Sequence, residues 1–438
     1  MANNTCINRK IQPKHSNIKL DNFPVVNSSM LQNGIELFTM DISNTEMVRI
    51  DFMFKGGAWV QDKPLQAMTS LMMIKEGADD LSPQQINQLV DFYGAKIFIK
   101  KARTYNTLSV MCLKKFIKQV CNIIYKILSK PYFDENSLII TRQQLFTNYN
   151  IKMAKVAEVA ERELFNQILG KCHPATSYES EEDFTNLSRQ LIANYYNKFI
   201  NSNNCKMVLS GNIDQHVMDV ICHFFANDFW GGQNPVEDVE GMIRRRDMEP
   251  VGMKKDRVEC KMPDKSMQTA VAAANIIPRL AGKQLAELLI TNTIVGGYFG
   301  SRLMDNIREK KGYTYGITSS IRNFVTNAAI YIQTETSDKY LEHVIEEIDK
   351  ELELIARIPP SIDELNRVKN YFVGKSIRTY EANLQFPEHL INNMALGLSM
   401  KDIKETQDEI QRIKPEDISI CAQRFFSPQS FTYAIARG

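Results

Sequence analysis

The chain runs through one order of elements twice, and this duplication limits its possible folds more than any other feature. In the first pass, VRIDFMF at 48–54 has the apolar character of a strand. A helical stretch over about 64–76 follows, then SPQQINQLVDFYG, a helix with Gly94 just past its end. AKIFIKKARTYNTLSVMCL reads as two strands joined by a turn near 103–106. KFIKQVCNIIYKILSKP is an amphipathic helix stopped before Pro131, and another helix follows FDEN. In the second pass, TAVAAANII near 269 is a strand and GKQLAELLITNTIV a helix. SRLMDNIREKKG is a helix ending at Gly312, and YTYGITSSIRNFVTNAAIYIQTE a strand pair. DKYLEHVIEEIDKELELIARIPP is a helix stopped at Pro359 and Pro360, and IDELNRVKNYFVGK starts the next. Both passes close alike: FINSNNCKMVLSG (199–211) and FSPQSFTYAIARG (426–438) each set a glycine twelve residues after a phenylalanine.

Hairpin-linked strands interspersed with helices indicate an α+β fold of two homologous halves, each an antiparallel sheet with helices packed on one face. Residues 228–266 join the passes with glycine, proline and charge and little periodicity. The expected boundaries are an N-terminal arm over 1–34, a first domain over 35–235, a linker over 236–266 and a second domain over 267–438. At 438 residues, length alone allows about two to four domains. A chain of this size buries roughly three quarters of its unfolded surface and needs no covalent staple.

A net charge of +2 argues against a nucleic-acid partner. The one basic run, Arg244–Arg245–Arg246, is followed by Asp247 and Glu249 and reads as solvated linker. Eight scattered cysteines without a C-x-x-C pair fit buried thiols in a reducing compartment. No apolar run approaches the roughly 18 residues of a membrane span, so no membrane association is expected. Residues 1–20 carry Arg9, Lys10, Lys14 and Lys19 without an acid, but lack the apolar stripe of a transit peptide. A disordered or strand-adding arm is expected there. The cytoplasm is the expected location, with a periplasmic or organellar one left open.

Chemistry concentrates in GSRLMDNIREKKGYTYG at 300–316. Arg308 falls in the last helical turn, Gly312 reverses the chain, and Tyr315 lies in the following strand. Each has a plain structural explanation, since a cation suits a helix C-terminus and tyrosine suits a strand. The string nevertheless resembles the second-half signature of the insulinase/pitrilysin-like zinc peptidases, the inverzincins, and the duplicated order of elements resembles that family over about residue 35 to the end. The resemblance implies two halves facing each other around a chamber. It also implies that Arg308 and Tyr315 hold a substrate backbone and stabilise the oxyanion at the scissile carbonyl. Tyr313 and Ile317 share the strand parity of Tyr315 and are expected on the same wall. In GGYFGS (296–301), Gly296, Gly297 and Gly300 make a short loop; it reads as a helix–helix turn, or, by resemblance, as a substrate-touching loop. It lacks the Lys-Ser/Thr of a P-loop.

The family's zinc motif, H-x-x-E-H, is missing. Alignment on the turn at Gly77 puts Met68, Leu71 and Met72 where His, Glu and His belong. The third ligand, a glutamate on a later helix, falls near Asn148, and no acid occurs between Glu135 and Glu158. His15 and His173 belong to no histidine pair. His216, Asp219 and His223 share a helix, but two turns, about 10 Å, separate the histidines. They read as a surface face with His223 partly buried. His343 and His389 are isolated and read as surface or packing residues.

Resemblance thus implies a non-catalytic subunit with no metal of its own. Its expected partner is a homologous zinc-bearing chain, in a heterodimer that cleaves peptides by metal-assisted hydrolysis. The alternatives are a structural or assembly subunit, or a stand-alone peptide-binding protein of the same fold, with a homodimer as the alternative assembly.

Overall fold

The computed structural model describes residues 24–247, 250, 256–262, 266–381 and 386–438. Most of the expected arm (1–23) and parts of the expected linker (248–249, 251–255 and 263–265) lie outside the described residues.

Two sheets organise the molecule. The first contains β1 (Asn27–Met30), β2 (Glu36–Asp41), β3 (Met47–Lys55), β4 (Lys96–Lys101), β5 (Tyr105–Leu113) and β6 (Cys205–Gly211), in the order β1-β2-β6-β3-β5-β4. The second contains β7 (Arg257–Lys261), β8 (Thr269–Pro278), β9 (Thr314–Asn323), β10 (Asn327–Thr336) and β11 (Thr432–Arg437), in the order β7-β11-β8-β10-β9. Apart from β1, the two orders correspond strand for strand. The α+β class and the homology of the halves therefore stand. One refinement follows from topology: each sheet holds one parallel pair, β2 with β6 and β7 with β11. The last strand of each half returns from a run of helices and slots between the first two, antiparallel to one and parallel to the other.

Local signals explain the helix limits. Ser82 and Gln85 form a reciprocal capping box before Pro83, and Gly94 takes φ +59° past the end of the Pro83–Phe92 helix. Asp134 accepts a hydrogen bond from the Ser137 amide at 2.8 Å and starts the Glu135–Met153 helix. The Ile117–Ser129 helix buries Ile117, Val120, Cys121, Ile123, Ile124, Ile127 and Leu128 on the first sheet's core face.

The opposite faces of the sheets are also covered, by helices exchanged between halves. The Val156–Leu169 helix of the first half lies across β8, β10 and β11 of the second sheet. Its floor is alanine-rich, with Ala270, Ala272, Ala274, Ala434 and Ala436, and small side chains let a helix approach a sheet closely. In return, the Phe386–Ala395 helix packs Phe386, Leu390 and Ile391 on Met53, Tyr105 and Val208 of the first sheet. Cover on both faces explains why β3 and β8 are buried along almost their whole length rather than alternating, with Arg49 and Asp51 paired inside β3.

Candidate functional site

The positions that the resemblance aligns with the family's zinc motif lie on the Gln66–Met73 helix. Leu71 is fully buried, and Met68 and Met72 are half-buried. Leu71 belongs to the first half's core, with Met68 packed against it. The helix is tied to its neighbour by Gln66 Nε2 donating to the Leu191 carbonyl at 2.9 Å and Ser70 Oγ donating to the Ile192 carbonyl at 2.8 Å. Asn148 is exposed on the Glu135–Met153 helix. Zinc takes imidazole, thiolate or carboxylate ligands, and two thioethers with a buried isobutyl group do not fit it. Among the described residues, no group of three or more His, Cys, Asp or Glu is placed to hold a metal ion.

Other histidines follow their local packing. His216 and Asp219 are exposed. His223 is exposed too, not partly buried as expected, because the apolar face of its helix is Val217, Val220, Ile221 and Phe225; it lies edge-on to Phe224. His343 lies by Tyr313, and His389 packs on Tyr380 and Phe386, where burial lowers its pKa. His173 is buried edge-on to Trp59, its Nδ1 accepting from the Ala175 amide at 3.0 Å.

The second-half motif is built differently from a plain helix and strand. Residues 302–303 are α-helical, and Met304–Lys310 widens into a π-helix; a second π-helix, Thr293–Gly297, precedes the loop between them. Single π turns of this kind cluster at functional sites. Gly312, at φ +63°, donates its amide to the Arg308 carbonyl at 3.0 Å, and the Tyr313 amide donates to that of Ile307 at 3.0 Å. The strand begins at Thr314, one residue later than expected. Arg308 and Tyr315 meet: Arg308 Nε donates to the Tyr315 carbonyl at 3.0 Å. The guanidinium also pairs with Glu309 through Nη1 and lies 4.9 Å over the ring of Phe299.

A bulge sets where Tyr315 points. Thr314 faces Thr336, but Ile317 already faces Thr334, so β9 carries one extra residue at Tyr315–Gly316. Strand parity changes there. Tyr315 is 90% exposed, while Ile317 is fully buried in the second core, so Ile317 does not share its wall. Threonine hydroxyls occupy the bulged backbone: Thr334 Oγ1 donates to the Gly316 carbonyl at 2.8 Å, and Thr336 Oγ1 to that of Tyr313 at 2.6 Å. Tyr313 is partly buried and stacked on Tyr340 with ring centres 4.7 Å apart.

The glycine loop divides. Gly296 is buried, and a Cβ there would come within 2.6 Å of Ser319 Cβ, so its bareness serves packing against β9. Gly297 and Gly300 are exposed beside Phe299. Phe299 itself, 67% exposed, was not singled out in the sequence; a bulky aromatic between glycines is the signal that could have marked it.

A polar frame holds the π-helix. Arg302 makes a two-pronged pair with Glu364, both contacts at 2.8 Å. Asn306 Nδ2 donates to Glu347 at 2.9 Å and Glu351 at 2.8 Å. Lys311 and Lys350 both pair with Glu347. Burial alone would raise the Glu347 pKa, but the hydrogen bonds from Lys311, Lys350 and Asn306 outweigh it and hold the carboxyl at about 2. Glu351, where burial prevails, is raised.

No hydrogen bond, ion pair or ring contact among the described residues joins Met68 or Met72 to Arg308 or Tyr315. Leu71 lies in the first core with Met68 packed on it, while Ile307 and Ile317, near Arg308 and Tyr315 in sequence, lie in the second.

A duplicated α+β chain with this strand order has the architecture of a peptidase-like protein. Residues 186–372 match the family described as "Peptidase M16 inactive domain". Over 419 residues the chain is 19% identical to a Bacillus subtilis protein named "Uncharacterized zinc protease YmxG", covering 92% of this chain and 96% of that one. The fold is shared with a Pseudomonas fluorescens structure described as a peptidase M16 inactive domain, at TM-score 0.79 and 17% identity, covering 94% and 98% of the two chains. It is also shared with the periplasmic protease PqqL from Escherichia coli, at TM-score 0.74 and 12% identity; there 98% of this chain matches 49% of that one. The chain is thus similar over most of its length to proteins of this kind, and residues 186–372 match the M16 domain described as inactive.

Proposed function

We propose that this chain is the non-catalytic, substrate-binding subunit of a two-chain zinc peptidase. A homologous partner would hold the zinc, and this chain would supply Arg308 and Tyr315 to the shared site. The observation that carries the reading is the contrast between its two motif positions. Leu71 is buried in the first core with Met68 packed on it and Met72 half-buried, whereas Arg308, Tyr315 and Phe299 stand together at the surface on a polar frame. In PqqL this chain's counterpart takes up about half of the sequence, which fits a unit that works beside a second of similar size.

The arrangement suits peptide backbone recognition. β9 is an edge strand, and its bulge aims the Tyr315 ring outward. The Arg308 guanidinium, held by Phe299 and the Tyr315 carbonyl, needs little further ordering to meet a peptide carbonyl. Gly297 and Gly300 leave room for a backbone to approach, and Tyr313 supports the wall through Tyr340. In a working pair, Arg308 and the Tyr315 hydroxyl would donate to the oxyanion forming at the scissile carbonyl. The isolated chain should carry no zinc and no activity.

No helix among the described residues is long and apolar enough to cross a membrane. The described cysteines are free thiols, which supports a reducing compartment such as the cytoplasm. The test is co-expression with zinc-bearing homologues of the same cell, followed by an assay on an unfolded peptide with and without chelator. Activity needing both chains supports the reading; zinc-dependent cleavage by this chain alone overturns it.

A further inference from the structure

The joint between the halves contains a cavity that the peptide site does not use. It encloses about 390 Å³, within the usual range for small-molecule sites. Its wall comes from both halves: Trp59, Arg103 and Tyr105 from the first, Arg279, Arg322 and Phe324 from the second. Three arginines therefore face one carboxylate, Glu240, which already pairs with Lys55 at 3.2 Å.

None of the three arginines is fully spent. Arg103 donates to the Asn323 carbonyl at 3.2 Å and lies 4.7 Å over the Phe324 ring. Arg279 donates to the Val325 carbonyl at 3.1 Å. Neither forms an ion pair among the described residues. Arg322 reaches Glu161 at 3.3 Å through Nη2, yet its Nε is buried without a hydrogen-bond partner. Burial lowers the pKa of Arg103, with the like charge of Arg322 adding to it, and burial lowers that of Arg279. Desolvated positive charges with open donors are costly unless an anion meets them.

We propose that this cavity binds a small organic oxyanion, a carboxylate or phosphate ester with an aromatic or other apolar body. The arginine forks would take the oxyanion, and Trp59, Tyr105 and Phe324 the body. The same anion would tie the two halves together, because its donors come from both. The proposal is independent of the peptide-site reading.

Calorimetric titration of the whole chain tests it, using phenyl phosphate, benzoate and neutral benzyl alcohol as probes. At least one anion should bind saturably at one per chain, about tenfold or more tighter than the alcohol; the tighter anion tells ester from carboxylate. Arg279→Gln and Arg322→Gln should each weaken that anion by about tenfold. Arg279→Gln touches only a half-buried side chain, and an unchanged circular dichroism spectrum and melting curve would show its fold intact. Failure of both anions to saturate at millimolar concentration, or undiminished binding by folded Arg279→Gln, overturns the proposal.

Discussion

The Gln66–Met73 helix and residues 302–310 carry the two motif positions, one in each half between its first long strand and its hairpin, and they have opposite surroundings. The first presents Leu71 and Met68 to an apolar core. The second is held by Arg302, Asn306 and Lys311 against Glu364, Glu347 and Glu351, and exposes its arginine. Packing alone accounts for the first arrangement. A polar frame under an exposed arginine, tyrosine and phenylalanine contributes little to core burial, which supports the proposal that this surface meets a peptide.

The largest effect is expected from forcing the H-x-x-E-H pattern onto the first region. Met68→His, Leu71→Glu and Met72→His together put a carboxylate at a fully buried position. Urea unfolding should show a loss on the order of 3–5 kcal/mol, with no tightly bound zinc by metal analysis. Zinc binding without loss of stability would break the comparison.

Next is the frame of the second region. Glu347→Ala strands Lys311, Lys350 and Asn306 and should cost on the order of 2–3 kcal/mol. The native carboxyl gives a matching pH signature. Its folded pKa of about 2 lies below the ordinary value of 4.5, so its contribution is complete above the ordinary value and lost as pH falls toward the folded one. Unfolding curves between those limits should converge for wild type and variant, and stay apart near neutrality.

Smaller effects sharpen the picture of the loop. Gly296→Ala should cost about 1–3 kcal/mol, because the new methyl meets Ser319. Gly297→Ala is exposed, with its nearest contact 3.2 Å away at Thr293 Oγ1, and should stay within about 0.5 kcal/mol. Smallest in stability is Arg308→Ala, whose ion pair to Glu309 is a surface one, expected within about 0.5 kcal/mol. Its effect should fall on peptide handling instead.

Much of the fold was legible in the sequence because the signals were local. Ser82, Gly94, Asp134 and Pro131 mark helix ends by backbone chemistry, and the 103–106 turn separates two strands of evident character. What escaped depends on partners far along the chain. The exchange of the Val156–Leu169 and Phe386–Ala395 helices is visible only once both halves are folded. So is the proximity of Glu388, on the exchanged helix, to the buried carboxyl of Asp51, which pairs with Arg49 two residues away on its own strand. In the candidate site, the position of Arg308, Gly312 and Tyr315 was readable, but the π-helix and the bulge were not. Neither has a residue signature here, and the bulge reverses the parity on which Ile317 was grouped with Tyr315.

The most direct measurement is peptide hydrolysis by the chain paired with its zinc-bearing homologue, comparing wild type with Arg308→Ala and Tyr315→Phe at equal complex concentration. The account predicts no cleavage by either chain alone, chelator-sensitive cleavage by the pair, and a fall of about a hundredfold in kcat/KM for Arg308→Ala with the complex intact. Full activity in that variant complex, or metal-dependent cleavage by the isolated chain, would contradict it.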